Sequence, residues 1–167
     1  METDDAAMIS HAELTSEIAV YLDYEADLLD RLDLQEWLKL WLPSGRYIVP
    51  IDRETSDHAN TLNHIYDDHA MRAQRVERLL SGLALSASPP TRTVRSISRM
   101  RILASRDDRH TVSSAMIIVG YKRQTKFLVA ANVMHELQRD GEGYRIGEKS
   151  VMLIDSDEPL GDMSFIL

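Results

Sequence analysis

Cysteine is absent from all 167 residues. The chain therefore forms no disulfide, offers no thiolate to zinc, has no cysteine nucleophile and cannot hold an iron–sulfur cluster through its own sulfur ligands. Glycine is scarce, at seven, and none falls in a loop that would cradle a phosphate. The patterns Gly-x-Ser-x-Gly and His-Glu-x-x-His are missing as well, so nucleotide binding, serine hydrolysis and zinc proteolysis find no support. No apolar run approaches the ~20 residues of a bilayer span. The opening segment METDDAAMISHAEL is acidic and lacks a signal-peptide core. These absences lead to the expectation of a cytoplasmic protein that binds no membrane. A net charge of −8 argues against a general nucleic-acid binder.

What charge there is lies unevenly. Between Met71 and Arg106 stand eight arginines and one acid, Glu77; that stretch carries +7, and the rest of the chain, within a total of −8, carries −15. Arginine's planar fork suits paired carboxylates at packed or interfacial positions. Arg72, Arg75, Arg78, Arg95, Arg99 and Arg101 are therefore candidates for a subunit-docking surface, against the plainer reading of a solvated basic face.

Hydrophobic periodicity places helices first. Ile18, Tyr21, Leu22, Glu25, Leu28, Leu29 and Leu32 recur at the spacing of one helical stripe. Asp33 is positioned to cap a short second helix in which Trp37 and Trp41 share a side, with a turn expected at Pro43 and Gly45. RYIVPI reads as a strand, and Pro50 suggests an edge or a bulge there. Asp52 to Asn63 reads as a loop. Asp67 or Asp68 then starts a third helix that carries Val76, Leu79 and Leu80 inward and stops near Gly82.

After Pro90 the pattern alternates through four segments separated by RDDR, RQT and DGEG, which predicts an antiparallel meander. In the first segment Val94, Ser96, Ser98, Met100, Ile102 and Ala104 share one face and Arg95, Arg99 and Arg101 the other. Long strands twist and curl, so the expected architecture is α+β, a cone-shaped domain over 14–167 with helices covering a strongly curved sheet. Residues 1–13 are expected to form a flexible arm. The apolar end of DEPLGDMSFIL should dock into the core or against a partner.

Two constellations could carry chemistry. His58, His64 and His69, beside Asp67 and Asp68, have the ligand types of a mononuclear iron site. The histidines, however, straddle a helix start instead of sharing a face, and capping accounts for the aspartates. His135 alternates with Val133 and Leu137 and should point into the concave face. A buried histidine is usually a hydrogen-bonded core residue. With Asp23 or Tyr47 across the cavity, it would serve as a general base in a stand-alone dehydratase or isomerase. A ligand-binding module would show the cavity without the catalytic pair.

The segments YLDYEADLLDRLDLQEWLKLWLPSGRYIVPI, DDHAMRAQRVERLLSG, SPPTRTVRSISRMRI and MLIDSDEPLGDMSFIL, in that order, resemble the small (beta) subunit of aromatic-ring-hydroxylating dioxygenases. The resemblance implies the cone fold shared with nuclear transport factor 2 and scytalone dehydratase. It also implies a structural subunit without metal or catalytic residues of its own. The expected partner is a large (alpha) subunit carrying a Rieske [2Fe–2S] cluster and a mononuclear iron, commonly three large with three small subunits, the small ones trimerising. Such an oxygenase adds both atoms of O₂ to an aromatic ring by cis-dihydroxylation. It draws electrons from NAD(P)H through a reductase, with or without a ferredoxin. A Rieske centre needs two cysteines and two histidines, so a chain without cysteine fits the small subunit. Arg99 departs from the family, which often carries asparagine near that position.

Overall fold

Ser10 opens the first helix. In the computed structural model, which describes residues 10–85, 89–161 and 163–167, Ser10 and Glu13 form a reciprocal capping box: Glu13 N–H donates to Ser10 Oγ at 3.2 Å and Ser10 N–H to Glu13 Oε2 at 2.9 Å. Of the arm expected over 1–13, residues 1–9 lie outside the described residues, and Ser10 to Glu13 belong to the helix start. Helix α1 spans His11–Asp30 and buries Leu14, Ile18, Tyr21, Leu22, Glu25, Leu28 and Leu29. Leu32, at φ 61°, turns the chain into α2, Leu34–Lys39. Asp33 precedes α2 without a side-chain cap bond; its carboxylate lies 3.4 Å from Arg31 instead.

Strand β1, Trp41–Pro50, begins where the sequence suggested a helix end and a turn. Trp41 thus leaves the helix, yet meets Trp37 edge-to-face at 5.3 Å. Gly45 sits where the β1–β6 register shifts, and a Cβ there would lie 2.9 Å from the Ile146 carbonyl oxygen. Only a residue without a side chain fits so close a backbone approach. Pro50 lies at a bulge against β2, Asn63–Asp67, a short strand in a stretch that read as loop and helix cap. Helix α3, His69–Leu85, runs past Gly82.

Strands β3 (Arg92–Arg106), β4 (Arg109–Lys122), β5 (Thr125–Asp140) and β6 (Gly143–Leu153) form the expected meander. The β4–β5 turn has both Arg123 and Gln124 at positive φ, the backbone a tight hairpin demands. The sheet order is β2-β1-β6-β5-β4-β3, antiparallel except for β1 beside β6. Helix α1 packs on β3, and both α1 and α2 contribute to the central core, in which Trp37, Tyr47, Ile18 and Leu34 are fully buried. The chain end docks there too: Phe165, Ile166 and Leu167 are buried, and Leu167 N–H donates to the Tyr47 hydroxyl at 3.1 Å.

At the start of β3 the polar face is the inward one. Thr93 and Arg95 point inward and Val94 is 69% exposed. The cause is Asp30 at the end of α1. Its carboxylate accepts from Thr93 Oγ1 at 2.8 Å, from the Arg95 backbone N–H at 2.8 Å, and from the Arg95 guanidinium. A register shift between Ser98 and Arg101, with Arg99 at φ 51°, then changes the phase, so that Met100 and Ile102 pack against the core.

Candidate functional site: the charged interior of the cone

Inside the cone one carboxylate is shared by three donors. Glu25, on the buried stripe of α1, accepts from Lys149 Nζ at 2.8 Å and from Trp37 Nε1 at 3.0 Å through Oε1, and from His135 Nε2 at 3.0 Å through Oε2. All three charged or titratable side chains are at most 4% exposed. Burial works to raise the Glu25 carboxyl, but the Lys149 ammonium and the His135 imidazole outweigh it and hold the group well below the usual carboxylate range. The same burial lowers Lys149 from its ordinary value, with Glu25 opposing the shift.

His135 is buried, as its alternation predicts, but neither Asp23 nor Tyr47 is its partner. Asp23 is exposed on the outer side of α1 and does not reach the interior. Tyr47 is fully buried, which pushes its hydroxyl far above the ordinary tyrosine value, and it accepts from the chain end. The partner is Glu25, two residues beyond Asp23. Its signal was present: a glutamate on an otherwise apolar helical stripe. Lys149 was also legible, since it shares the inward phase of Val151 and Leu153.

Around this cluster the cone is filled. Met116, Ile118 and Val133 are buried, and the cavity beside Glu25, His135 and Lys149 measures about 10 Å³. That is room for about one water, against the several hundred Å³ of a small-molecule site. The larger hollows, about 510 Å³ between α3 and the chain end, about 500 Å³ beside Arg99 and Arg101 on β3–β5, and about 540 Å³ beside α1 and the β5–β6 turn, open on the outside. A hydrogen-bonded acid, base and ammonium in so small a space tie α1 to β5 and β6.

The six candidate interface arginines separate in the same way. Arg72 is buried over the Trp41 ring, 4.1 Å from its centroid, and donates to the Gly45 and Asp67 carbonyls; burial brings its pKa down to about 10. Arg95 is buried between Asp30 and the Ile166 carbonyl. Arg75 forks onto Asp67 with contacts of 2.6 and 3.1 Å. Asp67 therefore ends β2 as an ion-pair partner, and Asp68 alone caps α3, accepting from Met71 N–H at 3.0 Å. Only Arg78, Arg99 and Arg101 are exposed.

The three histidines weighed as iron ligands also part company. His58 lies in a single 3₁₀ turn, His64 Nε2 sits 2.6 Å from the Ser156 carbonyl oxygen, and His69 begins α3. Among the described residues no three metal-ligating side chains converge. With no cysteine in the chain, these residues do not fit a Rieske cluster.

A family model described as the ring-hydroxylating beta subunit matches residues 24–157. The chain belongs to that family. Among beta-subunit relatives, the small oxygenase component of the p-cumate 2,3-dioxygenase system of Pseudomonas putida is 32% identical over 155 residues, covering 91% of this chain and 86% of the relative. The beta subunit of biphenyl 2,3-dioxygenase from Rhodococcus jostii is 26% identical over 164 residues, covering 91% and 88%. In fold, the beta subunit of benzoate 1,2-dioxygenase from Burkholderia mallei superposes with a TM-score of 0.78 at 23% identity, over 99% of this chain and 100% of that one.

Proposed function

We propose that this beta subunit contributes no catalytic group and acts by holding an iron-bearing large subunit in a working assembly. The observation that supports this reading is the packed cone: Glu25 bonds internally to His135 Nε2 and to Lys149 beside a cavity of about 10 Å³. A large subunit with the cysteines this chain lacks would supply the Rieske cluster, the mononuclear iron and the oxygen chemistry on an aromatic ring. The chain's own residues supply shape. Glu25 ties α1 to β5 and β6, Asp30 ties α1 to β3, and Arg95 ties β3 to the chain end. A surface presented to the large subunit then keeps its form through assembly. Three large and three small subunits, electrons from NAD(P)H through a reductase, and a cytoplasmic setting complete the reading.

The test is co-expression of the chain with a Rieske-type large subunit from the same gene neighbourhood. A stable complex that elutes together, with all iron assigned to the large subunit, is the expected result. Large subunits that assemble and turn over equally well without this chain would end the proposal.

A further inference from the structure

The hollow of about 510 Å³ between α3 and the chain end runs against the charge of the chain around it. The protein carries a net charge of −8. This hollow is nevertheless lined by Arg75, Arg78 and Lys122, and no aspartate or glutamate is among its described lining residues. Asp67 matches Arg75, which forks onto it. Arg78 and Lys122 have no such match: neither makes an ion pair among the described residues. Cations gathered round one hollow favour an anion inside it.

The hydroxyls beside Lys122 sharpen that preference. Lys122, the last residue of β4, donates through Nζ to Ser164 Oγ at 2.9 Å, and Ser164 Oγ lies 2.6 Å from Thr91 Oγ1. Two hydroxyls that share one hydrogen bond leave one O–H proton to donate elsewhere, whichever of them is the donor. Both line the hollow, and Thr91 is only 4% exposed. The end of β4, the residue before β3 and the chain end thus hold an ammonium and a spare hydroxyl proton together. Ile65, Leu79, Leu83 and Met163 supply apolar lining. A largely apolar wall with a few placed polar groups, enclosing ~300–1,000 Å³, is the make-up of a small-molecule site.

We propose that this hollow binds a small organic carboxylate with an apolar body, of the aryl carboxylate class. Lys122, Arg78 and the spare hydroxyl proton of the Thr91–Ser164 pair take the carboxylate, while Leu79, Leu83 and Met163 cover the hydrocarbon. An inorganic anion would leave the apolar lining uncovered, and a neutral arene would leave the cations unmatched. The site is separate from the holding role proposed above, since it requires neither iron nor the large subunit.

Titration of the full chain, with isotope-labelled methionine methyls, by 2-naphthoate tests it by NMR. The Met163 signal, assigned through Met163→Leu, should shift and saturate with a Kd of about 1 mM or tighter. Neutral 2-naphthamide lacks the charge and acetate lacks the arene; each should bind at least about tenfold more weakly. Lys122→Met should weaken 2-naphthoate at least about tenfold, and Arg78→Ala, at an exposed position, at least about threefold. Leu83→Trp, which fills the hollow from α3, should abolish the response, with circular dichroism showing each variant folded. No saturable shift, or binding indifferent to the loss of Lys122 and Arg78, overturns the proposal. Acetate binding as tightly as 2-naphthoate reduces the hollow to an anion site and overturns it too. So does a Met163 signal that no longer responds once the large subunit is bound, an outcome that gives the hollow to the contact between subunits.

Discussion

At Glu25 a single carboxylate balances a buried ammonium, a buried imidazole and an indole N–H. Removing one member of a buried ion pair leaves its partner's charge desolvated, at a cost of about 3–5 kcal/mol. Glu25→Gln should lose about that much stability near pH 7, read from urea unfolding midpoints. The carboxyl's folded value lies below its ordinary 4.5, so the folded state releases a proton that the unfolded chain still holds between the two values. The resulting stability is complete above pH 4.5 and declines as pH falls through the folded value. The stability gap between wild type and Glu25→Gln should therefore begin to narrow as pH falls below 4.5; a gap that stays constant down to pH about 3 would contradict the role given to this carboxylate. The sequence revealed His135 as an inward residue, because period-two alternation is local. It did not reveal which acid answers it, because that pairing spans 110 positions and depends on how α1 is rotated in the cone.

At the level of elements, what was legible followed from periodicity and what was missed was decided by contacts across the chain. The four long strands and α1 emerged from their apolar spacing. Strand β2 did not, since five residues with two polar side chains at their start carry almost no pattern; pairing with β1 makes the strand. Which face of β3 turns inward is not legible from alternation alone, because Thr93 and Arg95 are polar and the carboxylate of Asp30 makes their burial tolerable. The chain end shows the same dependence. Phe165 stacks on Phe127 with ring centroids 5.4 Å apart, the Ile166 carbonyl accepts from a terminal nitrogen of Arg95, and Leu167 is fully buried. Deleting Phe165–Leu167 removes three buried apolar side chains worth about 1.5–3 kcal/mol each and orphans two polar partners. A loss of at least about 4 kcal/mol in chemical unfolding is expected. A truncated chain as stable as the full one would show that the segment does not close the core.

At the scale of the whole molecule, the chain is the beta subunit of a ring-hydroxylating dioxygenase, and the role proposed for it is to hold an iron-bearing large subunit in a working assembly. The family resemblance was visible in the order of four sequence segments, and the family model now covers residues 24–157. The docking role first given to all six arginines was not legible residue by residue, because a cationic side chain looks the same in sequence whether it faces a partner or its own Asp30 or Asp67. The most direct measurement is oxygen uptake with iron analysis on three purified preparations: this chain alone, the large subunit alone, and the two together, each with the same electron donors and aromatic substrate. The account predicts no iron and no uptake for this chain alone, with full activity only when the two are combined. Stoichiometric iron or substrate-dependent oxygen uptake by this chain alone would contradict it.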